Sequence, residues 1–210
     1  PISSKELTEE LKKIKKKIDD KFEEFTRKNA EQEQQSLVAF FMPLLLDSFS
    51  DVRGPEREKA LSEEAARRGF VKPENRYMNY TVLVTSFRDK EGKNQTLESG
   101  VNAINTILRK YVRHVSFYTD GRIVSLLAGT RQSQEKYLHI LVEDISQSVK
   151  RIMNLTATIG VSRMVPGLGH CHEAYLEAMD AFGYARRSDT GVSFISDIER
   201  TAIFDQETIQ

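Results

Sequence analysis

The sequence predicts an α+β fold: a ferredoxin-like (βαββαβ) antiparallel sheet with a further helix and a short strand, preceded by helices, the first of them coiled-coil-like. Three observations lead there. Apolar periodicity changes after residue 76, from helical to an alternation of strand-like and helix-like segments. An Asp120-Gly121 pair stands between two apolar runs in "FYTDGRIVSLLAG", which marks a tight hairpin because Gly accepts the positive φ such turns need. The N-terminal stretch carries a narrow apolar stripe between alternating charges.

The chain opens on helix punctuation. Ser3 and Glu6 stand at capping-box spacing, and Ile2 and Leu7 at the positions of a hydrophobic staple. Leu7, Leu11, Ile14, Ile18 and Phe25 then follow at steps of 4, 3, 4 and 7, with Lys21 at the skipped position and Phe22 beside it. This is a heptad seam, and its charged flanks point to a two-stranded coiled coil. The seam fades into the polar "RKNAEQEQQS", where no Gly or Pro stops the helix. Two further helices are expected at about 37–50, which Pro43 should kink or start, and 55–69, with Pro55 in the first turn and Gly69 as the stop.

The sheet region follows in order. "YTVLVTSF" (80–87) is rich in β-branched and aromatic residues and reads as a strand. Leu97, Val101, Ile104, Leu108 and Tyr111 mark an amphipathic helix. "HVSFYT" and "RIVSLLA" are the hairpin strands. Leu138, Leu141, Ile145, Val149 and Ile152 mark the next helix, and "TATIGVS" (156–162) is a strand. An Ala-rich helix, "HEAYLEAMDAFGYARR", precedes a last short strand at 192–196. The first six elements match the split βαβ pattern, whose helices lie on one face of the sheet. The organisation predicted is a helical linker over 1–36, a helical lead-in over 37–76, the sheet domain over 77–200 and a tail over 201–210.

Composition narrows the function classes. There are 31 basic and 31 acidic residues, so no basic excess suggests direct nucleic-acid binding. A single cysteine, Cys171, excludes an intrachain disulfide and fits a cytoplasmic location. The longest apolar run, Leu37–Leu46, is half the ~20 residues of a membrane span, so no membrane segment is expected. Asn-x-Thr triplets at Asn79, Asn94 and Asn154 carry no meaning in such a setting.

The order of elements, with a hairpin between two long helices, resembles the nucleotidyl-cyclase palm of diguanylate cyclases. Those enzymes carry a Gly-Gly-Asp-Glu-Phe signature on this hairpin, with metal-binding acids there and at the end of the first strand. The tail "LGHCHEAYLEAMDAFGYARRSDTGVSFISDIE" is similar to the corresponding segment of degenerate (GGDEF-like) palms in transcription regulators, at Leu168, Ala174-Tyr175, Glu177-Ala178, Ala181, Tyr184, Gly191, Ile195 and Asp197-Ile198. "PISSKELTEELKKIKKKI" resembles the end of a response-regulator receiver domain, with Pro1 as the proline of its Lys-Pro pair. Receiver, helical linker and degenerate palm together resemble bacterial AraC-type two-component response regulators. The resemblance implies signal transduction and transcription regulation. Its partners would be a sensor histidine kinase, met through a receiver outside these residues, and DNA, met only through a helix-turn-helix domain beyond them.

Catalysis is not expected. Cyclase chemistry needs two divalent ions held by carboxylates. Here Thr85, Ser86 and Phe87 end the first strand, Asp89 falls in the loop, and the hairpin tip reads Asp120, Gly121, Arg122, a vestigial turn with a cation where the enzyme has an acid. Gly167-Leu168-Gly169 before a helix could cradle a phosphate, but a lone Gly-x-Gly equally marks a flexible strand-helix connection; His170-Cys171-His172 could offer metal ligands, but consecutive residues rarely converge on one ion. His114, His139 and the arginine pairs 67–68 and 186–187 read as packing or helix-end residues. No metal or cofactor is expected. The leading expectation is a non-catalytic regulatory and dimerisation module, paired as a homodimer through Leu7, Leu11, Ile14, Ile18, Phe22 and Phe25. The alternatives are a small-molecule or nucleotide-sensing domain and, less favoured, an active cyclase.

Overall fold

A computed structural model describes residues 3–47, 54–72, 78–188 and 190–199. The chain divides into two compact units, 1–36 and 37–210. Ile2, the proposed staple residue, lies outside the described residues, as does the tail 201–210.

The first unit is helical. Helix α1 (Ser4–Leu46) starts where the capping signal places it, with Glu6 N–H donating to Ser3 Oγ at 3.2 Å. The separate helix expected at 37–50 is instead the end of α1. Pro43 neither starts a helix nor ends one; it sits inside the last turn of α1, where one lost N–H is the whole cost to the hydrogen-bond ladder. Leu37, Phe41, Leu44 and Leu45, on that last stretch, are buried in the core of the second unit.

In the second unit, α2 (Pro55–Arg67) has Pro in its first turn, and Gly69 follows its end at φ 80°. Then come β1 (Asn79–Arg88), α3 (Gly100–Leu108), β2 (Arg113–Thr119), β3 (Arg122–Gly129), α4 (Arg131–Met153), β4 (Thr156–Val161), α5 (Cys171–Arg187) and β5 (Val192–Phe194). The sheet order is β2-β3-β1-β4-β5. β1 runs antiparallel to both β3 and β4, β2 antiparallel to β3, and β5 parallel to β4. The first four strands therefore have the ferredoxin-like order, because each split βαβ crossover skips the strand that later fills the gap.

Both faces of the sheet are covered. On one, Leu83 and Phe87 pack with Ile104 and Leu108 of α3 and Leu141, Ile145 and Val149 of α4. On the other, Tyr80, Val82 and Val84 pack with the end of α1, Leu61 and Ala65 of α2, and Ala174, Ala178 and Phe182 of α5. So the βαββαβ unit alone has its helices on one face, and the added elements close the other. This explains why β1 is buried on both sides and reads as a near-continuous apolar run. Two periodicity assignments fail. Leu97 precedes α3 and is 66% exposed, and Ile152, in the last turn of α4, is 73% exposed.

Small residues let α5 sit close to the sheet. A side chain at Gly160 on β4 would put its first carbon 2.2 Å from Phe182 N and 2.3 Å from Ala178 O. A buried amide ties α4 to the sheet: Gln134 Nε2 donates to Asn79 O at 2.6 Å, and Thr81 Oγ1 donates to Gln134 Oε1.

Candidate functional site

The hairpin forms the turn its Asp-Gly pair requires. Asp120 has φ 50° and Gly121 φ 74°, and Thr119 pairs with Arg122 to close the strands. The tip is braced from the loop after β1. Asn94 Nδ2 donates to Gly121 O at 2.9 Å, while Asn94 Oδ1 accepts from Thr96 N–H at 3.0 Å and Thr96 Oγ1 at 2.6 Å. Thr96 Oγ1 in turn accepts from Phe87 N–H at 2.8 Å. The Asn94-Gln95-Thr96 triplet, which the sequence offered only as a glycosylation pattern, is thus the clamp between the end of β1 and the hairpin.

Asp89, the acid nearest the end of β1, is spent on its own loop. It accepts from Lys93 N–H at 2.9 Å, Gln95 Nε2 at 2.9 Å and Glu91 N–H at 3.0 Å, and these bonds, Lys93 N–H first, hold its carboxyl below the usual range. Asp120 has its side chain 87% exposed and lies 3.6 Å from Arg122. Among the described residues, the buried side-chain atoms without a hydrogen-bond partner are Thr85 Oγ1, Ser86 Oγ and Arg122 Nε. All three lie within one residue of the Thr85–Ile123 strand pair. A pair of divalent cations needs a nest of carboxylates at that place. Alternation along the strands puts Ser86 and Arg122 on one face of the sheet and Thr85 on the other. A neutral hydroxyl and a guanidinium on the shared face do not fit such a pair, since the fixed cation repels further cations. Among the described residues, no group of three or more His, Cys, Asp or Glu could hold a metal ion.

The glycine loop behaves differently from a phosphate cradle. A short 3₁₀ turn (Leu168–His170) leads into α5. Its free N–H groups are taken from within the chain: Glu58 of α2 accepts from Leu168 N–H at 2.7 Å and from Gly169 N–H at 2.9 Å. A Cβ at Gly167 would lie 2.7 Å from the Glu58 carboxylate, so a side chain there would push Glu58 off the loop. The anion that the helix start favours is a side chain of the same unit. Nothing near Glu58 in sequence announces this, since the partners are far apart along the chain.

The three residues His170, Cys171 and His172 diverge. Cys171 is fully buried and burial pushes its thiol well above the usual range. His172 is buried, with Nδ1 2.7 Å from Leu45 O. His170 Nδ1 lies 3.6 Å from Glu173. His114 bridges Val112 O and Asn105 Oδ1, each at 3.1 Å, and burial lowers its pKa. His139 stacks 4.5 Å from Phe194. Arg67 and Arg68 both bind Glu64, and Arg186 and Arg187 close α5.

Leu7, Leu11, Ile14, Ile18, Phe22 and Phe25 lie on the first part of α1 and are 52–69% exposed. Elsewhere, at the opposite end of β1 from Ser86, a cleft of about 710 Å³ is lined by Glu58, Lys59, Ser62, Arg67, Lys72 and Tyr80, among others. Among the described residues, no helix is long and apolar enough to cross a membrane. A family model described as a GGDEF-like domain matches residues 53–184. No curated protein matches the chain.

Proposed function

The chain belongs to the GGDEF-like domain family, and from that premise we propose that it is a non-catalytic regulatory and dimerisation module of a bacterial two-component response regulator of the AraC type. The observation that carries this reading is the exposed apolar seam Leu7–Phe25 on α1, which a solitary helix in water has no reason to keep. The hairpin end supports the non-catalytic half: Thr85, Ser86 and Arg122 stand at the ends of β1 and of the hairpin, where the resemblance to cyclase palms implies acids. The mechanism proposed is mechanical. Phosphorylation of a receiver would shift the pairing or register of α1, and the palm would pass that change to a DNA-binding domain.

Sedimentation of the chain across a concentration series tests the pairing. A dimer that Leu11→Asp and Ile18→Asp dissociate supports it, and a monomer at every concentration counts against it. Assay of GTP and ATP with manganese tests the other half: no turnover is expected, and measurable cyclisation overturns it.

A second reading, small-molecule sensing, is favoured by the 710 Å³ cleft, which falls within the ~300–1,000 Å³ of ligand pockets and offers both signs of charge. Thermal shift with nucleotides and magnesium discriminates, since stabilisation that Tyr80→Ala or Lys59→Ala removes would place the ligand there.

A further inference from the structure

We infer that the α1 seam pairs with a second copy of this chain in parallel and in register, an orientation selected by the charges beside the seam together with the overlap of its whole apolar length. The inference rests on the reading of that seam as a self-contact. In heptad terms the a positions are Leu11, Ile18 and Phe25, and the d positions are Leu7, Ile14 and Lys21. The flanking e positions then hold Lys15 and Phe22, and the g positions Glu10, Lys17 and Glu24.

In a parallel pair each g residue faces the next e residue of the other copy. Glu10 meets Lys15 on both sides of the interface, Lys17 lays its stem along Phe22, and Glu24 meets Asn29. No like charges meet at these flanks. An antiparallel pair overlapping along the whole seam sets g against g and e against e. Lys17 then faces Lys17, Lys15 faces Lys15, and Glu10 faces Glu24 twice. Sliding the antiparallel pair by a heptad relieves this repulsion and sets Glu10 against Lys17, or Lys17 against Glu24, but it leaves Phe25 or Leu7 outside the overlap, so these registers lose on apolar contact rather than on charge.

Parallel pairing has one cost of its own, Lys21 at d opposite its counterpart. Its hole in the other copy is formed by Ile18, Phe22 and Phe25 together with Lys21. The stem lies on apolar surface and the ammonium reaches aromatic faces, a favourable cation–π setting. This also gives a reason for an aromatic residue at the e position Phe22, 69% exposed in the single chain.

Disulfide trapping in the full 210-residue chain tests the orientation, with size-tagged and untagged versions. Ser4→Cys, at the a position that opens the helix, is expected to cross-link to itself under mild oxidation. Lys28→Cys, at d, should do the same. A mixture of tagged Ser4→Cys and untagged Lys28→Cys should yield no mixed band, because parallel pairing holds those positions more than 30 Å apart by the ~1.5 Å rise per residue. A mixed band, or the lack of same-site bonds in a chain that sediments as a dimer, overturns the orientation while leaving the pairing intact. A chain that sediments only as a monomer overturns the pairing and the orientation together.

Discussion

Glu58 on α2 holds Leu168 at the start of the turn into α5, its carboxylate 2.7 Å from the Leu168 N–H. With the second bond to Gly169 N–H at 2.9 Å, this one side chain neutralises the anion-seeking end of a helix whose glycine loop looked, in sequence, like a phosphate site. Glu58→Ala leaves two part-buried N–H groups open. Since charge-assisted bonds contribute about 1.5–3 kcal/mol, urea denaturation should show a loss on the order of 2 kcal/mol. Inorganic phosphate should stabilise Glu58→Ala more than the unaltered chain; equal effects would mean the loop has no anion preference of its own.

The seam variants separate association from folding. Leu11→Asp and Ile18→Asp lie in the 1–36 unit and far from the sheet core in sequence. They should abolish the dimer while the thermal transition of the 37–210 unit moves by only a degree or two. Near-ultraviolet circular dichroism together with sedimentation reads both, and a collapse of the sheet in either variant would contradict the assignment of these residues.

Ser86 is 2% exposed and its Oγ has no partner. A buried unpaired hydroxyl carries a desolvation cost that its removal relieves. Ser86→Ala should therefore be neutral or stabilising by up to about 1 kcal/mol, measured by chemical denaturation. A clear loss would show that the hydroxyl has work at that strand end.

At Gly160 the limit is steric. A Cβ there meets backbone atoms of Phe182 and Ala178, which a rotamer change cannot move aside. Gly160→Ala must shift α5 or β4, and overpacking of this severity is expected to cost about 3 kcal/mol or more. A melting temperature within a degree of the unaltered chain would sink the close-approach account.

Asp144 on α4 links to the turn after α3. It accepts from Tyr111 Oη at 2.6 Å, Lys110 Nζ at 2.7 Å and Ser148 Oγ at 2.8 Å, and these bonds, Lys110 first, hold its carboxyl at about 2. The folded value lies below the unfolded one, so this stabilisation is present above pH 4 and is lost as pH falls through about 2. Lys110 is half-exposed and screened, which leaves on the order of 1–2 kcal/mol. Asp144→Asn should remove that amount at neutral pH and flatten the acid limb of the stability curve.

Legibility followed the range of the interactions. β1 was readable within a residue at each end because its β-branched run is local, and the hairpin because Asp120 and Gly121 supply their own turn chemistry. Leu97 and Ile152 were misassigned because a helical period continues past the point where packing ends. The helix start considered at Pro43 did not occur; α1 runs through it to Leu46, since a proline one turn from a helix end removes little. Glu58, Asn94 and Gln134 gave no warning, because each acts on backbone brought near only by folding.

By itself the sequence determined the element order, the α+β class, the seam on α1 and the shortage of acids at the hairpin, all of which are properties of neighbouring residues and their spacing. Tertiary structure decided what those features face. It set the end of α1, α2 and α5 on the second face of the sheet, put a carboxylate of the chain's own on the glycine loop, and left Thr85 Oγ1, Ser86 Oγ and Arg122 Nε at one strand end without hydrogen-bond partners. The physical reason is that period and turn chemistry act over a few residues, whereas the partner of a charge or a free N–H is whatever the packed chain brings within 3 Å of it.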